Sequence, residues 1–138
     1  MDMDITFPGG KRVDARGGGF VFHTDQPAKN GGDDSAPGPF DLFLASIATC
    51  AGYYALAFCH ARQLPTEGLR LTQHVDYDEA THLPSRITLS VQVPTGFPEK
   101  YHTALLRAVD GCKVKRTIAV QPAFDVNLIQ SESVCVVA

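Results

Sequence analysis

Residues 42–59, LFLASIATCAGYYALAFC, run for 18 positions without a charge, and no other feature narrows the choice of fold as much. A stretch of that length lies at the lower limit for crossing a bilayer. Half or more of it is Ala, Ser, Thr, Gly, Cys and Tyr, so the hydrophobic driving force per residue is weak beside that of a Leu/Ile/Val span. The sequence therefore predicts a helix enclosed by protein on nearly every side, with no membrane partner. Start signals precede it: Gly38 suits the N-cap, Pro39 the first helical position, and Asp41 the first turn, where the macrodipole favours an anion. Pro65 ends the helix after Arg62 or Gln63. At 1.5 Å per residue it is about 35 Å long, roughly the width of a small domain.

The rest of the chain supplies what must surround that helix. Turn formers punctuate the first forty residues at Pro8-Gly9-Gly10, Gly17-Gly18-Gly19, Gly31-Gly32 and Pro37-Gly38-Pro39, which predicts short strands joined by tight turns. Beyond the helix, Leu69, Leu71, Gln73, Val75 and Tyr77 alternate, as do Ile87, Leu89, Val91 and Val93, the pattern of an antiparallel hairpin. Pro98 opens a second helix with Tyr101, Ala104, Leu105 and Ala108 or Val109 inward and Lys100, Arg107 and Asp110 outward, capped by Gly111. A short third helix is expected over Cys112–Ala119. Phe124, Val126 and Leu128 alternate as a terminal strand, with Val134, Val136 and Val137 as possible further members. At 138 residues the chain suffices for one core, so residues 1–138 read as a single α+β domain.

Several function classes are set aside by composition. A net charge of -3, with only Lys113, Lys115 and Arg116 clustered, offers no broad positive field for nucleic acid. The opening MDMDITFPGG has neither the basic nor the apolar region of a secretory signal, so a cytoplasmic address is expected. Cysteines at 50, 59, 112 and 135 form no CxxC pair, and the histidines at 23, 60, 74, 82 and 102 show no paired metal spacing. Neither a structural metal nor a disulfide framework is expected, and no cofactor. Gly17–Gly19 is not followed by a helix at phosphate-binding spacing and reads as a turn.

Two segments carry a resemblance. GPFDLFLASIATC, residues 38–50, resembles the long-helix motif of the OsmC/Ohr family, and DGCKVKRTI, residues 110–118, resembles the segment around that family's second cysteine. The N-terminal strands, the Asp25-Gln26-Pro27 and Gly31-Gly32 loop, the hairpin and both helices follow the family's order. The resemblance implies an intertwined homodimer with the long helices packed centrally and the sheets wrapped around them. It also implies that Cys50 reduces a peroxide and Cys112 resolves the product. An arginine and a glutamate hold the reactive thiolate in characterised members. Arg16, with Arg12 behind it, is the nearest match to the arginine. The glutamate's place, ten residues before the first cysteine, is Phe40 here, with Asp41 one position later.

The chemistry demands such neighbours. A peroxide O–O bond is broken by thiolate attack, and a free cysteine ionises only near pH 8.5. The helix dipole fades within the first turn, so three turns inside a helix a cation must favour the thiolate. A guanidinium stays charged and can be fixed by a carboxylate, the task Asp41 would take. The resulting sulfenic acid condenses with a second thiol to a disulfide, which an external dithiol would reset. The leading expectation is thus a thiol-dependent peroxidase acting on organic hydroperoxides. An apolar pocket at the dimer interface, walled by Phe40, Phe43 and Tyr53 or Tyr54, would hold them.

Rival readings carry their own reasons. Cysteine is among the most buried residue types, and Cys50 in an Ala-rich helix could serve as packing. Cys59, about two and a half turns beyond Cys50 and on the opposite side of the helix, reads as packing, as does Cys135. Asp41 is accounted for by helix capping alone, and an arginine beside a glycine turn is ordinarily solvated. A non-catalytic dimer that binds a small hydrophobic ligand, or senses redox through Cys50, is the alternative, and Phe40 favours it. A purely structural dimer is the third.

Overall fold

The computed structural model describes residues 1–130. Three strands come first: β1 (Asp4–Gly9), β2 (Arg12–Gly17) and β3 (Phe20–Thr24), paired antiparallel in the order β1-β2-β3. The β2–β3 turn closes on the Gly17–Phe20 pair with Gly18 and Gly19 at φ 59° and 83°. Two successive left-handed residues make the hairpin turn whose twist matches its strands, and glycine takes that conformation without a Cβ clash.

Residues 25–38 form a loop around one buried carboxylate. Asp25 is 0% exposed, and its two oxygens accept the N–H groups of Gln26, Asp33 and Ser35 and the Ser35 hydroxyl at 2.7 to 3.1 Å. Gly32 is required beside it, because a Cβ there would lie 1.8 Å from the Gln26 carbonyl oxygen. The loop delivers the chain to Gly38, from which α1 (Pro39–Ala61) starts. The Asp41 carboxylate accepts the Gly38 N–H at 2.8 Å, and the Gly38 carbonyl accepts the Asp41 N–H at 3.0 Å. The start, and the end before the Arg62 cap, fall where the local signals put them.

The hairpin follows as β4 (Arg70–Tyr77) and β5 (Pro84–Gln92), antiparallel, with Gln73 opposite Leu89 and Val75 opposite Ile87. A single 3-10 turn, Glu99–Tyr101, leads into α2 (His102–Asp110), and α3 (Lys113–Val120) starts from Cys112 as its N-cap. The core gathers Ala51, Ala55, Phe58 and Cys59 from α1, Phe97, Leu105 and Val109 from the α2 region, and Cys112. Leu71, Leu89 and Val91 close it from the hairpin side. The small side chains at 51 and 55 let α2 approach α1 closely, and the Phe58 ring meets Tyr101 edge-on at 6.2 Å. The architecture is the mixed α+β arrangement with antiparallel sheets expected from the sequence.

Two expectations are corrected. The long helix buries only one face within the chain, through Ile47, Ala51, Ala55, Phe58 and Cys59, while Tyr53, 66% exposed, and Leu56 look outward. Its length and composition match a membrane span, yet that buried face packs against α2 and β4. The terminal strand is absent from residues 121–130. Phe124, Val126 and Leu128 alternate as read, but they are 89%, 96% and 98% exposed. A strand exists only through a neighbour's ladder, and none is offered to them within residues 1–130. Val134, Cys135, Val136 and Val137 lie outside the described residues.

Candidate functional site

Helix α1 carries Cys50 midway along its length, half-buried, and the thiol packs against the core cluster that contains Cys112. Two contacts fix how α2 lies on α1. The start of α2 is held at Phe58 by Tyr101, and Val109, near its end, shares a groove with Ile47. The helices therefore run in opposite directions, which brings the α2–α3 junction to the level of residues 47–51. Cys112 sits at that junction, in the core cluster against which Cys50 packs.

Cys112 is fully buried, and as the N-cap of α3 its Sγ accepts the Lys115 N–H at 3.4 Å. A sulfur in that position faces the open N–H groups and the positive end of a helix, the usual setting for an anion. Cys50, Cys59 and Cys112 are all free thiols. Cys59 lies nine residues on, about 13.5 Å along the helix axis. It is fully buried, and burial pushes its thiol up from the ordinary value, which makes it a poor nucleophile. All three described cysteines thus meet the same core cluster, Cys59 and Cys112 as buried members and Cys50 from its half-buried edge.

The other expected site residues are placed elsewhere by a single chain. Arg16 is exposed on β2, opposite Asp4 and Val21, and no residue of that sheet belongs to the core cluster. Arg12 donates its Nε to the Gly9 carbonyl at 3.3 Å within the same sheet. The carboxylate of Asp41 is committed to the Gly38 N–H, nine residues ahead of Cys50. Phe40 stacks on Phe43 with ring centroids 5.5 Å apart, so the place of the family's glutamate offers no charge. These rings and Tyr53 are exposed on the single chain.

Within the single chain an open groove lies between α1, β5, α2 and α3. Its volume is about 770 Å³, and its lining includes Ile47, Ile87, Leu89, Leu106, Val109 and Ile118 together with Arg86, Arg107, Asp110 and Lys115. Lys115 Nζ donates to Asp110 at 2.7 Å, and this hydrogen bond and charge hold the Asp110 carboxyl below its ordinary value. Sequence reading missed the groove, because Arg107 and Asp110 looked simply solvated and no local pattern pairs Arg86 with them. It also missed Asp25, for which Ser35 and the glycine pair 31–32 were the available signal. Among the described residues no group of His, Cys, Asp and Glu is arranged to hold a metal.

Known proteins share this arrangement. A structure from Psychrobacter arcticus 273-4, described as an osmotic stress induced and detoxification response protein, superposes with a TM-score of 0.70 at 18% identity, covering 83% of this chain and 85% of that one. An OsmC-like protein from Mycoplasma pneumoniae gives 0.63 at 16%, over 86% and 88%. An organic hydroperoxide resistance protein OsmC from Legionella pneumophila gives 0.53 at 20%, over 86% and 89%. No curated protein sequence matches the chain. At these identities the structures establish the fold, and the sequence itself matches the family model described as OsmC-like protein over residues 32–127. That match spans α1, the hairpin, α2, α3, Cys50 and Cys112, so the chain belongs to the OsmC-like protein family.

Proposed function

We propose that this protein is a thiol-dependent peroxidase that reduces organic hydroperoxides through Cys50 and Cys112. The observation that supports the reading is that Cys50, half-buried on α1, packs against the core cluster that holds Cys112, both as free thiols, while Cys59 in the same cluster is fully buried with its thiol pushed up from the ordinary value. The Cys50 thiolate attacks the distal peroxide oxygen, the O–O bond breaks, and the leaving alkoxide takes a proton to become the alcohol. Cys50 is left as a sulfenic acid. Cys112 then attacks the Cys50 sulfur, water leaves, and a disulfide forms that an external dithiol reduces by exchange. The protein works as a homodimer: the outward apolar face of α1 and the unpacked β1–β3 sheet gain cover from a second copy. That copy also supplies Arg16 to Cys50, since a chain by itself keeps the two apart.

The test is the rate at which reduced protein consumes cumene hydroperoxide and hydrogen peroxide, with Cys50→Ser and Cys112→Ser as controls and intact mass read afterwards. Fast loss of the organic peroxide, with a two-proton mass decrease that needs both thiols, is the expected result. Consumption no faster than in the variants rejects the peroxidase. One observation favours a second reading, a non-catalytic dimer that binds a hydrophobic ligand or senses redox through Cys50. Phe40 stands where the family's glutamate would anchor an arginine, and the nearby Asp41 is spent on the helix cap.

A further inference from the structure

The groove between β5, α2 and α3 reverses the charge of the molecule around it. Arg86, Arg107 and Lys115 face a single carboxylate, Asp110, so its lining carries two net positive charges on a chain whose net charge is -3. Lys115 is satisfied by Asp110. Among the described residues neither Arg86 nor Arg107 has an ion-pair partner: Asp76, opposite Arg86 across the hairpin, is turned to His74 at 3.2 Å. Two free guanidiniums therefore stand at the edge of a trough floored by Ile47, Ile87, Leu89 and Val109.

We infer that this groove binds an amphipathic monoanion, a medium-chain carboxylate whose head pairs with Arg86 and Arg107 and whose chain lies along the apolar floor. Guanidinium is the cation best matched to a carboxylate, through two parallel N–H donors. A volume of about 770 Å³ is in the range of small-ligand sites. The lining offers no aromatic face to stack a base and no glycine-rich run of N–H groups to cradle a polyphosphate. Charge reversal also steers anions towards the groove in preference to the acidic remainder of the surface. The site stands on its own residues and holds whether or not the thiols turn over peroxide, although Ile47 and Val109 place the bound chain close to Cys50 and Cys112.

The probe is decanoate, titrated into the full-length protein by calorimetry beside decan-1-ol and decyltrimethylammonium. Decanoate should bind at least about tenfold more tightly than the alcohol, since its carboxylate accepts charge-assisted hydrogen bonds from the guanidiniums that a hydroxyl cannot match, and the cation should not bind. The Arg86→Gln/Arg107→Gln variant, with its fold checked by circular dichroism, should lose about tenfold in decanoate affinity while its affinity for decanol stays the same. Equal affinities for acid and alcohol, or a double variant that binds decanoate as the wild type does, overturn the inference. So does decanoate binding that appears only after Phe124→Ser/Val126→Ser, because the groove would then belong to the chain's own segment after α3.

Discussion

Asp25 is the residue on which the path into α1 turns. A fully buried carboxylate is costly unless its charge is met by donors, and here four hydrogen bonds meet it. Chiefly the Ser35 hydroxyl and the Ser35 N–H, then the Gln26 and Asp33 N–H groups, take its acid constant from 3.8 to about 2 against the opposing effect of burial. A carboxyl lowered in the folded state contributes stability that is complete above its unfolded value and lost as pH falls through its folded one. The contribution should therefore be whole above about pH 5 and fade between about pH 4 and pH 2. Asp25→Asn should lower the melting temperature by several degrees at pH 7. The gap to the wild type should narrow on acidification to pH 2, and thermal melts across that range check it. A gap independent of pH would mean that the loop does not rely on the charge. Asp41 makes a contrasting prediction. If its carboxylate serves only the helix start, Asp41→Ala should cost about 0.3 to 1 kcal/mol in urea unfolding and leave peroxide consumption unchanged. A lost rate with unchanged stability would instead place it in the chemistry.

At the scale of elements, the parts visible in the sequence were those written by neighbours in the chain. The start of α1 at Gly38-Pro39, the hairpin alternation from Leu69 to Val93 and the Gly111 stop of α2 each depend on residues a few positions apart. The placing of Cys50 and Cys112 at one core cluster was legible only through the family resemblance, because 62 positions separate them and only the packing of α2 and α3 on α1 relates them. The groove was not legible at all, since Arg86 and Arg107 come together from a strand and a helix. The terminal alternation at Phe124–Leu128 misled for a related reason: alternation states which side of a strand is apolar and nothing about which ladder receives it. Helix α2 is then the element on which the site most depends. Leu105 is 1% exposed at its centre, so Leu105→Ala should cost about 2 to 5 kcal/mol. It should also slow disulfide formation between Cys50 and Cys112, measured by intact mass after one equivalent of peroxide. Unimpaired disulfide formation would mean that the junction is positioned by something other than α2.

For the whole molecule, the decisive fact is how much apolar surface a single chain leaves open. Phe7, Phe20 and Phe22 on the first sheet and Tyr53 and Leu56 on α1 are exposed together with Phe124, Val126 and Leu128 after α3, apolar groups that contact with another chain would cover. A second copy related by a two-fold axis would cover the same faces on both partners at once. Light scattering should accordingly give twice the chain mass of 14.9 kDa, and Tyr53→Glu/Leu56→Glu should shift it to the monomer by placing charges in the contact. Such a dimer would also decide the fate of Arg16, which one chain holds on a sheet away from the core. If the guanidinium acts across the interface, Cys50→Ser and Arg16→Gln are each inactive as homodimers but complementary when mixed. After exchange of subunits, each mixed dimer carries one site with the thiol of one chain and the arginine of the other, so roughly a quarter of all sites should be competent. Peroxide consumption should rise from near zero to about that fraction of wild type as the subunits exchange. If mixing restores nothing although exchange is seen by mass, Arg16 does not complete a site across the dimer, and the thiolate at Cys50 must find its cation elsewhere.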